Sequence, residues 1–219
     1  MLLDRRKVKF WQKIVFGGMA FLMAAFLVVG YSGVLNGCTW FNSSQQDVTQ
    51  ELDQQIAKYQ AAVDADPTDV AAWRNLAEQL EFRANQEQQG SAAQKAFWLR
   101  AAEAYTKADE LLAEQKGKDA REQRLEVLRR IADIQLFLQD YQAATSIYGE
   151  ITALKPKDPQ AYFEMASVAI NAGDTSTALL AFSKFLELDP QSPDAPQVKA
   201  WIKENTPGST PKPSPSPTN

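Results

Sequence analysis

The sequence contains no histidine. That excludes the commonest general base and the commonest metal ligand together. Cys38 is the only cysteine, so neither an internal disulfide nor a zinc site with paired cysteines can form. No G-x-S-x-G, no P-loop and no G-x-G-x-x-G occurs, and no serine has a histidine to activate it. Asp64, Asp66 and Asp189 lack the spacing of an EF-hand and suit helix caps or turns instead. Other acidic residues stand in helical i, i+4 patterns with basic ones, as around Glu122, Glu126 and Arg130, which is the pattern of a solvated helix face. These absences point away from an enzyme. No cofactor and no metal is expected.

Basic charge is scarce after the first few turns of chain. Before residue 36 there are five basic residues, Arg5, Arg6, Lys7, Lys9 and Lys13, against Asp4 alone. The remainder holds 18 basic and 26 acidic residues. An acidic body repels phosphate backbones, so no nucleic acid is expected as a partner.

Charge is missing altogether from residues 14–35, which read IVFGGMAFLMAAFLVVGYSGVL. As a helix this run would be about 33 Å long, close to the thickness of a bilayer's hydrocarbon core. A helix satisfies its own backbone hydrogen bonds, so the run is expected to cross a membrane once. Trp11 before it and Tyr31, Trp40 and Phe41 beyond it suit the two interfaces. All five Lys/Arg residues of the flank precede the run, and none follows until Lys58. The positive-inside rule then leaves the N-terminus in the cytoplasm and the body outside it, held at a cell membrane, inner or plasma. Two alternatives compete with a permanent anchor. One is a cleaved signal peptide, although the apolar run exceeds the usual length. The other is a lipoprotein signal. Leu35-Asn36-Gly37-Cys38 resembles a bacterial lipobox, with Asn36 departing from the small or apolar residue usual there, and it makes Cys38 a candidate for lipidation. All three readings put the body on the same side.

The body repeats itself. Pro156 and Pro190 are 34 residues apart, as are Ala144 and Ala178, Tyr148 and Phe182, Ala132 and Ala166, and Leu128 and Tyr162. The last copy has Tyr162, Met165, Ala166 and Ala169 on a first helix, Gly173-Asp174 at the turn, and Ala178, Phe182 and Phe185 on a second helix closed by Pro190. The copy before it has Leu128, Ile131, Ala132, Ala144, Tyr148, Ile151 and Pro156. It departs at Gln135, where a large apolar residue is usual, and at Gln139, where glycine is usual. This pattern resembles the tetratricopeptide repeat, W-x2-L-G-x2-Y, then A-x3-F, then P, over 34 residues. An earlier copy matches with Trp73, Leu76, Ala77, Ala101, Tyr105 and Ala108. Its two halves stand about 12 residues too far apart for the family pattern, which predicts an extended hairpin with its tip near Gln86 to Ser91. A half repeat with Tyr59 and Ala62 precedes it, and Val198, Trp201 and Ile202 are expected to face inward from a capping helix. Trp73 and Trp201 fall on repeat and cap positions, and Trp98 beside Phe97 is expected against the extended hairpin.

The expected architecture is therefore all-α. A helical-hairpin solenoid, with about three repeats, a half repeat and a C-terminal cap, follows one transmembrane helix. The expected segments are a basic N-terminus at 1–13, the span at 14–35, a linker at 36–47, the repeat domain at 48–204 and a Pro/Ser-rich disordered tail at 205–219. The resemblance implies that first helices line a groove for a protein or peptide. By position the groove residues would be Arg74, Glu78, Glu81 and Phe82 from the first copy. The second would offer Glu126, Arg129, Asp133, Leu136 and Phe137, and the third Phe163, Ser167, Ile170 and Asn171. Phe137, Phe163 and Ile170 would take apolar groups, and Arg74 and Arg129 a carboxylate. The lysine–asparagine clamp of chaperone-binding members is not reproduced, because Glu78 follows Arg74. What the resemblance implies is a non-enzymatic adaptor or scaffold, bacterial and extracytoplasmic, of the kind that serves secretion, envelope assembly or cell division. The alternatives are a self-assembling structural membrane protein, with a homo-oligomer as its product, and a non-catalytic subunit of a membrane enzyme complex.

Overall fold

A computed structural model describes residues 37–206, with side chains from Val48 onward. The basic N-terminus, the expected span at 14–35, the side chain of Cys38 and the tail from residue 207 lie outside the described residues. Among the described residues no helix is long and apolar enough to cross a membrane, and every regular element is helical. The described residues divide into two units, with the boundary between Glu51 and Leu52. Helix α1 covers Gly37–Ala65. The expected linker at 36–47 is helical from Gly37 onward. Its polar composition reads as a connector, yet no proline or glycine occurs from Cys38 to Ala65 to stop a helix.

The second unit continues through α2 (Val70–Gln86), α3 (Ala92–Glu114), α4 (Lys118–Phe137), α5 (Tyr141–Leu154), α6 (Pro159–Asn171), α7 (Thr175–Leu188) and α8 (Ala195–Asn205). From α2 on, each helix packs on the next in chain order. That is the contact pattern of a solenoid, in which each hairpin needs its neighbour to cover an apolar face. The aspartates of the repeated phrases explain the helix starts. Asp69 accepts hydrogen bonds from the Ala71 and Ala72 amides, Asp140 from Ala143, Asp158 from Gln160, and Asp174 from Thr177. Each satisfies a donor that the first turn leaves orphaned. The Trp73 indole donates to the Pro67 carbonyl at 2.9 Å, and Tyr162 to Pro156 at 3.5 Å, so the proline turn and the large first-helix residue are tied alike in two copies.

Alanine fills the crossings. Ala77, Ala101, Ala108, Ala132, Ala144, Ala166 and Ala178 are all fully buried. A main core runs from Ile56 and Val63 to Ile151, and a smaller cluster of Phe182, Phe185 and Val198 closes the C-terminal end with Trp201 and Ile202 against it. The expected inward face of the cap is therefore present. Arg124 of α4 joins three helices: its Nε donates to Asp109 of α3 at 2.8 Å and its Nη2 to Glu150 of α5 at 2.8 Å.

The first hairpin is long, as its spacing predicts. Helices α2 and α3 have 17 and 23 residues, against 13 and 14 in α6 and α7. Its tip at Glu87–Ser91 is organised by Gln94, a buried amide that accepts from the Gly90 N–H at 2.8 Å and donates to the Ala84 carbonyl at 3.3 Å. Arg83 ties the same hairpin to α1 through Asp53, at 2.9 Å, and lies over the Phe97 ring.

The turn between α4 and α5 repeats the turn between α6 and α7. Asp140 N–H reaches the Gln135 carbonyl and Asp174 N–H reaches the Ala169 carbonyl, both at 2.9 Å. Both turns place one residue at positive φ, Gly173 at 74° and Gln139 at 60°. A side chain there costs roughly 1 kcal/mol in backbone strain. A Cβ at Gly173 would meet nothing within 4 Å, so the cost there is conformational alone. Gln139→Gly is expected to stabilise the protein by about 1 kcal/mol and Gly173→Gln to destabilise it by a similar amount. Urea midpoints of the two variants decide this. A Gln139→Gly variant weaker than the wild type would show that the glutamine side chain contributes more than its backbone strain removes.

Candidate functional site

Ion pairs bring the first helices α2 and α4 side by side. Arg74 of α2 donates to Glu126 of α4 at 3.0 Å. Arg130 of α4 stands 4.0 Å from Glu81 of α2. Beneath these charges lie aromatic residues from the second helices, at equivalent repeat positions: Tyr105, Tyr148 and Phe182, all buried.

Tyr105 lies below Glu81 and Glu78, with Arg130 and Arg74 farther in effect. Its residue exposure is 2%, and its hydroxyl faces the Glu81 carboxylate, whose charged form it favours. Burial, with the two glutamates, pushes the phenol well above its ordinary range. Burial also raises the Glu81 carboxyl, and Arg130 opposes that rise. One repeat on, Tyr148 is raised by burial first and then by Glu164 and Asp133, with Arg129 opposing. Asp133 is raised by desolvation, against Arg130 and Arg129. The face thus carries a row of incompletely compensated carboxylates over two buried phenols.

Each expected groove residue has a place. Glu78 is half-buried beside Glu81. Arg74 is half-buried and engaged by Glu126, so it is not the open carboxylate receptor expected. Arg129 and Asp133 are exposed on α4. Phe82, Phe137 and Ile170 remain open, at 58%, 46% and 39% exposure. Phe137 has one side on the Trp98 ring, 5.0 Å between centroids, so Trp98 packs on α4 as well as within its own hairpin. Leu136 belongs to the core rather than to the face. The half-buried Phe163 ring lies 5.7 Å from Phe182 and 5.3 Å from Phe185, so it packs on the terminal cluster. Ser167 donates to the Phe163 carbonyl at 2.8 Å and Asn171 to the Ser167 carbonyl at 3.2 Å, so both polar groups have partners within α6.

Sequence reasoning missed Tyr105, Tyr148, Arg130 and Glu164. A tyrosine at a packing position reads as core, and only the structure shows charged residues beside its hydroxyl end. The signal available was chemical: two of the three equivalent aromatic positions carry a hydroxyl. Among the described residues no cluster of histidine, cysteine, aspartate and glutamate is arranged to hold a metal ion.

The tetratricopeptide repeat family model matches residues 128–203, which are the last two hairpins and the cap without the extended first hairpin. The repeat resemblance is supported over that stretch. No curated protein matches. Among solved structures, a crystal structure of MamA is 18% identical, covering 73% of this chain and 80% of its own, at a TM-score of 0.45. The crystal structure of YrrB, described as a TPR protein with an unusual peptide-binding site, is 19% identical over 74% of each chain at 0.46. The Arabidopsis OM64 TPR domain is 18% identical, covering 60% of this chain and 98% of its own, at 0.38.

Burial makes an ionised Glu81 costly. A carboxyl whose folded value is raised contributes stability fully below its ordinary value near 4.5 and loses it as pH rises through the folded value. At neutral pH Glu81→Gln is therefore expected to melt above the wild type, with the difference closing on acidification to about pH 4. Thermal melts across that range check the sign. A variant less stable at neutral pH would mean that the Arg130 attraction outweighs burial.

Proposed function

We propose that the chain is a non-catalytic adaptor, anchored in a membrane by residues 14–35, whose repeat body holds a protein or peptide segment outside the cytoplasm. The observation that carries the binding reading lies on the first helices α2, α4 and α6. Three of the exposed large apolar side chains, Phe82, Phe137 and Ile170, lie on these first helices. They stand beside charged groups, and a mixed surface of this kind suits an extended peptide that offers both side-chain types. The anchor reading rests on the uncharged run and on the basic residues that precede it. Secretion, envelope assembly and cell division are the settings in which such an architecture would serve. A homo-oligomer is the competing use of the same face.

A photo-crosslinking amino acid at Ile170, in native membranes, tests the binding reading. One dominant heterologous adduct, absent when the probe stands at the 75% exposed Leu180 of α7, is the expected result. Adducts only with other copies of the chain would instead favour self-assembly. For topology, a Cys38→Ser, Gln191→Cys variant is expected to react with a membrane-impermeant maleimide in intact spheroplasts. Reaction only after lysis would place the body in the cytoplasm and overturn the orientation.

A further inference from the structure

We propose that a basic cleft between the start of α4 and the α5–α6 turn receives an acidic peptide segment, its carboxylates held by Arg121, Lys155 and Lys157 and an apolar neighbour packed on the cleft's leucines. The cleft comes from a departure from the repeat. Helix α4 has 20 residues against 13 in α6, and both end at the same repeat position, Phe137 and Asn171 being 34 residues apart. The added length, Lys118 to Arg124, therefore stands wholly at the start of α4, where α6 has no counterpart. It forms one wall of an open cleft of about 620 Å³, and the turn from Lys155 to Asp158 forms the other. Leu125, which is buried, and the half-buried Leu154 supply apolar surface between them. A concave site of that volume accommodates several ligand side chains.

Charge says what enters. Lys118, Arg121, Lys155 and Lys157 line the cleft, against two carboxylates, Glu122 and Asp158. Both carboxylates are already engaged. Glu122 stands 3.6 Å from the Lys118 ammonium, and Asp158 accepts from the Gln160 amide at 3.1 Å. The guanidinium of Arg121 and the ammonium groups of Lys155 and Lys157 make no ion pair among the described residues, whereas Arg74, Arg83, Arg124 and Arg130 elsewhere all do. Three unpaired cations around one hollow are a local exception in a body where acidic residues outnumber basic ones. Such groups donate charge-assisted hydrogen bonds to carboxylates. Two other anionic partners fit less well. A flat bilayer surface would not reach Leu125, which is only 6% exposed. A nucleic acid would find no stacking ring, since none of the described residues lining the cleft is aromatic, and its phosphates would be repelled by the rest of the body. A peptide offers carboxylates and apolar side chains together. The cleft shares no residue with the first-helix face, so the proposal does not rest on the reading of that face.

The test uses the full chain in a nonionic detergent at low salt, read by fluorescence anisotropy. The probe is a peptide carrying a neutral dye, in which glycine alternates with leucine and glutamate. Glutamine and lysine replace glutamate in two controls. The glutamate peptide is expected to bind about tenfold tighter than the glutamine one, the gain of one well-made charge-assisted contact. It is also expected to bind tighter than the lysine one, although the body as a whole is acidic. Arg121→Glu with Lys157→Glu is expected to abolish the preference. Lys199→Glu with Lys203→Glu on α8, the same change in net charge, is expected to keep it. All four side chains are exposed, so both variants are expected to melt near the wild type. Unlabelled glutamate peptide is expected to displace the probe, and neither inorganic phosphate at matched ionic strength nor phosphatidylglycerol in the micelles is expected to. Displacement by either as complete as by the peptide overturns the peptide as occupant, in favour of a free anion or a lipid headgroup. No binding, or no preference for glutamate, overturns the proposal outright. A preference that survives Arg121→Glu with Lys157→Glu, or that is lost equally in the α8 variant, overturns the assignment to this cleft. The first-helix face is tested separately, by the crosslink from Ile170.

Discussion

The close approach of neighbouring helices is the constraint on which this body depends. Alanine stands where they cross, at Ala77, Ala101, Ala132, Ala144, Ala166 and Ala178, and each is fully buried. Small residues let the helix axes come near, and the larger neighbours Leu76, Leu128, Tyr148 and Phe182 then fill the remaining space. A hairpin built this way has an apolar side that it cannot cover alone. The next hairpin must supply the cover, which makes the stack effectively one-dimensional. At the C-terminal end α8 does so with Val198, Trp201 and Ile202, and Trp201 meets Phe182 edge-on at 5.2 Å.

Stacking in one direction also makes the candidate face. Because first helices lie side by side, residues far apart in sequence become neighbours, as Arg74 and Glu126 do. Second helices lie beneath and send an aromatic ring up between each pair. The result is a layered surface of charge over phenol, with apolar side chains at the helix ends. The Arg124 contacts with Asp109 and Glu150 show the same logic away from that face. One residue holds three successive helices in register, and its ion pairs are worth having because Asp109 is buried and would otherwise be left unpaired.

Irregularity is confined to places where the stack tolerates it. The long first hairpin extends at its tip, where Gln94 replaces apolar packing by backbone hydrogen bonds. Gln139 adopts the backbone that its counterpart Gly173 adopts without strain. The turn geometry is therefore imposed by the packing of α4 on α5, and the residue at Gln139 follows it. The helix that begins at Gly37 shows the opposite case. Polar composition alone reads as a connector there, but nothing in that stretch breaks a helix.

Much of the fold was legible in the sequence because repeats are local. A 34-residue period, the aspartates that cap α2, α5, α6 and α7, and alanine at the crossings are all features of short segments. The extended first hairpin and the inward face of the cap were legible for the same reason. The candidate face was legible only in part. Position within the repeat assigned Glu78, Phe82, Arg129, Asp133, Phe137 and Ile170 to it; all but the half-buried Glu78 are exposed. It could not tell that Arg74 is engaged by Glu126, that Phe163 packs against Phe182 and Phe185, or that the Tyr105 hydroxyl lies buried beside Glu81. By itself the sequence determined the helices, their turns and the order in which they stack, since those depend on neighbours along the chain. Only the tertiary structure decided which side chains are open and which are engaged, because that depends on groups up to 52 residues apart meeting across helices.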